Sequence, residues 1–106
     1  MARETFQTLS EPMYYILLAL ITEQCGVDIM SRVEKISRGR ITVGPGTVYA
    51  LLDKFLTSGL IRETRVDGRR RSYVITDLGK EFLRKEQDRL HQMLHDGETR
   101  SEGELK

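Results

Sequence analysis

The chain has 106 residues, 39% of them apolar and 31% charged, with 17 Lys and Arg against 16 Asp and Glu. That is enough for one domain with one core, and its charge is too balanced for a disordered chain. The longest apolar run, residues 13–21, is less than half a membrane span of about 20 residues, no basic stretch precedes it as in a secretion signal, and the single cysteine predicts a reducing, cytoplasmic compartment.

Residues 1–8 are polar and expected to be frayed. Ser10 is a good N-cap, and Pro12 falls in a first turn, where its missing N–H costs nothing. Met13, Ile16, Leu17, Leu20 and Ile21 then mark one face of a helix, and Tyr14, Tyr15 and Leu18 make most of the rest apolar. A helix apolar nearly all round is buried on more than one side, and one side of it is open to a second subunit. Cys25-Gly26 is expected to end this helix, with Gly26 as the left-handed residue. A second helix is predicted over 27–37, with Ile29, Met30, Val33 and Ile36 as its apolar set. Gly44-Pro-Gly46 reads as a turn.

Thr47 is expected to start a third helix, in which Val48, Leu51, Leu52, Phe55 and Leu56 recur at helical spacing. Thr47, Tyr49, Ala50, Asp53 and Lys54 are left on or near the opposite face, and Gly59 ends the helix. Residues 60–66 and 72–76 read as two strands joined at Asp67-Gly68, a hairpin dipeptide. Thr76 or Asp77 then caps a last helix over 78–94, whose apolar residues are Leu78, Phe82, Leu83, Leu90, Met93 and Leu94. Its middle, 84–89, is polar throughout, so the helix is expected to gain its stability by packing on a partner. The tail from Gly97 is polar and expected to be disordered.

The net charge of +1 hides an asymmetry. Residues 36–76 carry eight Lys and Arg against three Asp and Glu, while the flanking segments are each net acidic. Helix, helix, turn, helix and a basic hairpin form the layout of a winged helix-turn-helix. The fold class expected is therefore mostly α with a small β-hairpin. A helix fits the DNA major groove, its N-terminal amides meet phosphate, and an arginine-rich hairpin tip follows the adjacent backbone.

Five stretches in order carry a resemblance: Leu9-Ser-Glu-Pro-Met-Tyr-Tyr-Ile-Leu-Leu-Ala-Leu20, Gly46-Thr-Val-Tyr-Ala-Leu-Leu52, Gly59-Leu-Ile61, Gly68-Arg-Arg-Arg-Ser-Tyr73 and Ile75-Thr-Asp-Leu-Gly79. Together they resemble the PadR-type transcriptional regulators, and the single terminal helix is similar to the short subfamily. One departure is Cys25-Gly26-Val27, where many relatives have His-Gly-Tyr. The resemblance implies a DNA-binding domain over 1–76, a dimerisation helix over 77–96 and a tail over 97–106. It puts Gly46, Thr47, Tyr49 and Lys54 on the DNA face of the third helix, beside Ala50, and Arg69, Arg70 and Arg71 on the wing. Strand residues alternate in direction, so two of the arginines are expected to meet phosphate and one, Arg71, to brace the wing. Tyr49 is expected to contact a phosphate.

A dimer face is expected from Met13, Ile16, Leu17 and Leu20 together with Phe82, Leu90, Met93 and Leu94. Relatives often sense a small molecule between these helices, and by resemblance Tyr15, Ala19, Glu86, Leu90 and Met93 would line that space. The function implied is a dimeric repressor on a palindromic double-stranded DNA operator, released by a small molecule or a stress signal. The alternative is a winged-helix protein-interaction module that does not bind DNA.

Other residues invite weaker readings. His91 and His95 have a metal-ligand spacing, but no third ligand is evident, so neither metal nor cofactor is expected. Cys25 reads as an ordinary buried thiol. Glu81, Glu86 and Asp88 read as solvated charges on a polar helix, and no enzymatic motif is present.

Overall fold

The computed structural model describes residues 8–102 and 104. The expected frayed segment 1–8 lies, except for Thr8, outside the described residues. The elements in chain order are α1 (Glu11–Ala19), β1 (Gln24–Cys25), a 3₁₀ turn (Gly26–Asp28), α2 (Ile29–Ile36), α3 (Pro45–Ser58), β2 (Ile61–Asp67), β3 (Arg70–Ile75) and α4 (Asp77–Ser101). The three strands form one antiparallel sheet in the order β1-β3-β2. This is a winged helix-turn-helix followed by one long helix.

The start of α1 follows its local signals. Ser10 caps it by accepting the Met13 amide at 3.4 Å, and a proline stands in the first turn. Its end does not. The helix stops at Ala19, and not at Cys25-Gly26 as the glycine suggests. The Leu20 carbonyl is taken instead by the Ile75 amide of β3 at 2.8 Å. The chain then runs alongside β3, pairing Gln24 with Tyr73 and Cys25 with Ser72, so the expected hairpin gains a third strand. Gly26 is not left-handed. It is buried in the 3₁₀ turn, where an added Cβ would come to 3.3 Å from the Tyr49 ring. Close approach, not a helix cap, is the reason for a glycine there.

The turn between α2 and α3 carries two left-handed residues in succession, Arg38 (φ 57°) and Gly39 (φ 79°). Buried Ser37 holds it, its hydroxyl accepting the Ile41 amide at 3.0 Å. α3 begins at Pro45, two residues before Thr47, with Gly44 as N-cap. Gly59 ends it in the left-handed conformation at φ 79°, and the Leu60 and Gly59 amides return to the carbonyls of Phe55 and Leu56.

Thr76 joins three elements. Its hydroxyl donates to the Gly59 carbonyl at 2.6 Å and accepts the Gly79 amide at 3.0 Å, capping α4. Its own amide binds the Leu60 carbonyl. Gly79 lies so close to this corner that a Cβ would collide with the Leu60 carbonyl oxygen.

The core gathers Ile16, Leu17 and Leu20 of the first segment, Ile29 and Val33 of α2, Val48, Leu52 and Phe55 of α3, Ile61, Tyr73 and Ile75 of the sheet, and Leu83 of α4. Three residues expected at a dimer face, Ile16, Leu17 and Leu20, are therefore fully buried within the chain itself. α4 also departs from expectation. It continues through Gly97 to Ser101, past the predicted end at residue 94 and into the stretch read as a disordered tail. Glu86, read as solvated, is buried, because it shares a helix stripe with Gly79 and Leu83.

Candidate nucleic-acid interface

α3 turns its apolar side inward and leaves Gly46, Thr47, Tyr49, Ala50, Asp53 and Lys54 exposed. Gly44 supplies no side-chain cap at its N-terminus, so the first-turn amides are the donors that such an end offers to an anion. The Tyr49 ring lies over Gly26, in the space that a side chain there would take.

The wing turns over two residues, Gly68 and Arg69, with Asp67 paired to Arg70. Gly68 sits at φ 64° and Arg69 at negative φ, the pattern of a II′ turn. Arg69 is thus in the turn, while Arg70 and Arg71 lie in β3 and point to opposite faces. Arg71 pairs with Glu63 at 3.3 Å. Neither Arg69 nor Arg70 has a recorded acidic partner among the described residues. The extra residue of β2, Thr64, forms a bulge, and its hydroxyl donates to Glu23 at 2.6 Å, which ties the wing to the segment before β1.

Helix and wing meet. Tyr49 of α3 and Arg69, Arg70 and Arg71 of the wing line one concavity of about 50 Å³, closed by Cys25, Gly26, Val27 and Tyr73. Burial, with Glu63 adding, pushes the Tyr73 hydroxyl's pKa up. Cys25, Gly26 and Tyr73 had no part in the sequence reading of this surface. Only the pairing of β1 with β3 brings them there, and Cys25 is half-buried beside three arginines, not sequestered in the core.

A match over residues 16–85 to the model of the transcriptional regulator PadR-like family decides the assignment. The chain belongs to that family. Its members are regulators and not enzymes. No curated protein matches the PadR-family chain in sequence. Among solved structures it is similar to Bacillus subtilis PadR in complex with operator DNA, with a TM-score of 0.63 and 26% identity over 72% of this chain and 46% of that one. It is also similar to a PadR family regulator of Eggerthella lenta DSM 2243, with a TM-score of 0.69 and 23% identity over 84% and 79% of the two chains. Streptomyces coelicolor PcaV, in complex with its natural ligand, matches with a TM-score of 0.69 and 22% identity over 88% and 63%. The last two similarities establish the fold alone.

Of the residues expected at a dimer face besides the buried Ile16, Leu17 and Leu20, two are half-buried and three are exposed. Met13 and Phe82 are half-buried against the chain's own core. Leu90, Met93 and Leu94 are exposed on α4, at 39%, 55% and 59%. They continue the stripe begun by the buried Gly79, Leu83 and Glu86.

Of the expected effector-site residues, Tyr15, Glu86 and Leu90 do line a common cleft of about 310 Å³, with Leu9, Ser10, Glu11 and Tyr14. Ala19 is buried in the core and Met93 lies outside the cleft. The Glu86 carboxylate is already engaged: Leu9 donates its amide at 3.0 Å and Arg89 donates two bonds at 2.6 and 3.0 Å. The Arg89 fork, helped by the Leu9 amide, holds that carboxyl below its ordinary pKa against the effect of burial.

His91 and His95 lie with Asp88 and Glu98 along an open groove on α4, and no cluster of three metal-ligating side chains occurs among the described residues. No described helix is long and apolar enough to cross a membrane.

Proposed function

We propose that this PadR-family chain is a dimeric repressor that reads a palindromic operator in double-stranded DNA. The observation that carries the reading is the shared concavity of Tyr49 and Arg69–Arg71, which joins the exposed face of α3 to the wing. In this reading the first turn of α3, with Gly46, Thr47 and Ala50, enters a major groove. Tyr49 and Lys54 meet the flanking phosphates, and Arg69 and Arg70 follow the backbone beyond. Arg71, paired with Glu63, braces the wing. Residues 1–76 then form the reading domain, and α4 is the pairing element.

Pairing of two copies is supported by the stripe on α4. Its first half is covered by the chain itself, while Leu90, Met93 and Leu94 remain open on the same face. A second copy presenting the same stripe is the apolar partner such a face fits. Release by a small molecule is supported by the cleft between α1 and α4, because a ligand there would lie against both helices.

The test is a footprint on the DNA upstream of the chain's own gene at low salt. Two protected half-sites about 10 bp apart, centre to centre, are expected from a two-fold dimer. Absence of protection at low salt would overturn the reading.

A further inference from the structure

Arg40 lies in the basic segment just ahead of α3, where a phosphate contact is the first reading of an arginine. Its geometry is that of a group turned the other way. It follows the left-handed pair Arg38 and Gly39 and reaches back 29 residues in sequence to α1. Its Nη2 donates to the Glu11 carboxylate at 2.5 Å and to the Tyr15 hydroxyl at 3.0 Å. Its guanidinium carbon lies 5.8 Å from the centre of the Tyr15 ring. Tyr15 is itself steadied by Tyr14, whose ring meets it edge-on at 5.6 Å. An ion pair, a charge-assisted hydrogen bond and a ring contact thus converge on one terminal group. The guanidinium makes both bonds from Nη2 while its carbon lies by the ring, whereas a lysine would have to place one compact ammonium to make all three.

The connection that Arg40 ties to α1 is also held from within, by Ile41 and Val43 half-buried against the core and by the Gly39 and Arg40 amides on the Glu34 and Ser37 carbonyls. The Ser37 hydroxyl fixes its start through Ile41, and its end is Gly44, the N-cap of α3. Left-handed Arg38 draws on such support, since that conformation is disfavoured for arginine.

We infer that Arg40 is a positioning residue for DNA binding. It holds the α2–α3 connection on Glu11 and Tyr15 of α1, so setting the angle at which α3 is presented, and it does not itself neutralise a phosphate. The inference rests on the DNA-binding reading above.

The two roles predict opposite effects for the partner carboxylate. If Arg40 met phosphate, removing Glu11 would free its charge and strengthen binding. If Arg40 positions α3, removing Glu11 weakens binding although the protein becomes more basic. The experiment uses the full chain and a labelled duplex from the DNA upstream of its own gene, with affinity measured by anisotropy at several salt concentrations. The variants are Arg40→Ala, Arg40→Lys, Glu11→Ala, Tyr15→Phe and the Arg40→Ala/Glu11→Ala pair.

Arg40→Ala and Glu11→Ala are each expected to weaken binding about five- to tenfold, because two copies act on one duplex and each exposed contact contributes modestly. The double variant should be no weaker than Arg40→Ala, Arg40→Lys should recover the loss only in part, and the salt slope should stay that of the wild type. Tyr15→Phe, which removes one acceptor and keeps the ring, should lose less. Glu11→Ala binding as well as or better than wild type would overturn the inference. So would a salt slope lower by about 0.9 for each Arg40 removed, the mark of a lost phosphate contact. Both side chains are largely exposed, at 60% and 50%, so the variants are expected to fold, and an unchanged melting curve verifies it. A wild type that binds no duplex at low salt defeats the DNA-binding reading and this inference together. A wild type that binds while every variant equals it defeats the inference alone.

Discussion

The carboxylate of Glu86 accepts the amide of Leu9 at 3.0 Å, across 77 residues of sequence. The bond pins the entry to α1 onto the middle of α4, and so joins the reading domain to the helix proposed to pair two copies. Arg89 holds the same carboxylate from α4 itself. The group's folded pKa lies below the ordinary value of 4.5. A carboxylate with a depressed folded pKa contributes stability above its unfolded value, and that contribution is lost as pH falls through the folded one.

Glu86→Gln is therefore expected to cost about 1–3 kcal/mol at pH 7, the range for disturbing a buried hydrogen-bonded group. The gap from wild type should narrow below pH 4.5 as the wild-type carboxylate takes up its proton. Urea unfolding at a series of pH values measures this, and a gap that persists unchanged in acid contradicts it.

Gly79 has no room for a side chain. A Cβ there meets the Leu60 carbonyl oxygen, which already accepts the Thr76 amide and so cannot turn aside without breaking that bond. Gly79→Ala is expected to destabilise the fold by about 1–3 kcal/mol, despite alanine's higher helix propensity. Thermal unfolding checks it. A higher melting temperature would show that propensity outweighs the clash.

On the wing, Arg71 shares its charge with Glu63 while Arg69 stands in the turn. Arg71→Ala is expected to weaken DNA binding less than Arg69→Ala, and to leave a salt slope closer to that of the wild type. Parallel anisotropy titrations compare the two. A larger loss for Arg71 would assign it the phosphate contact instead.

The open half of the α4 stripe carries the pairing proposal. Leu94→Glu places a charge beside Leu90 and Met93, all three exposed in the single chain. The variant is expected to sediment as a monomer at micromolar concentration where the wild type sediments as a dimer, with its melting behaviour as a monomer intact. A wild type that is itself monomeric would contradict the proposal.

Much of this architecture was legible because its determinants are local. Ser10 and Thr76 cap their helices with their own hydroxyls, Gly59 and Gly68 adopt the left-handed conformations that glycine permits, and α3 shows helical spacing in five apolar residues. The misreadings are tertiary. The end of α1 is set by Ile75, which captures the Leu20 carbonyl, and β1 exists because β3 lies beside it. Ile16, Leu17 and Leu20 have an apolarity that serves the chain's own core, and a single helix pattern does not distinguish that from a partner's. Glu86 looked solvated among polar neighbours, but its stripe with Gly79 and Leu83 turns it inward, where it meets a partner 77 residues away. On the candidate interface, the basic turn and the exposed α3 positions were apparent in the sequence. The part that Cys25, Gly26 and Tyr73 take in that surface was not, and neither was the contact of Arg40 with α1.

The central claim is that α3 and the wing together grip DNA. The most direct measurement is the salt dependence of binding to the upstream duplex for the wild type and for Arg69→Ala/Arg70→Ala. The wild type is expected to lose affinity steeply and linearly in log–log form. The double variant should bind more weakly, with a slope shallower by about 0.9 for each phosphate contact removed. Equal affinity and equal slope for the two proteins, or no binding by the wild type at low salt, would contradict it.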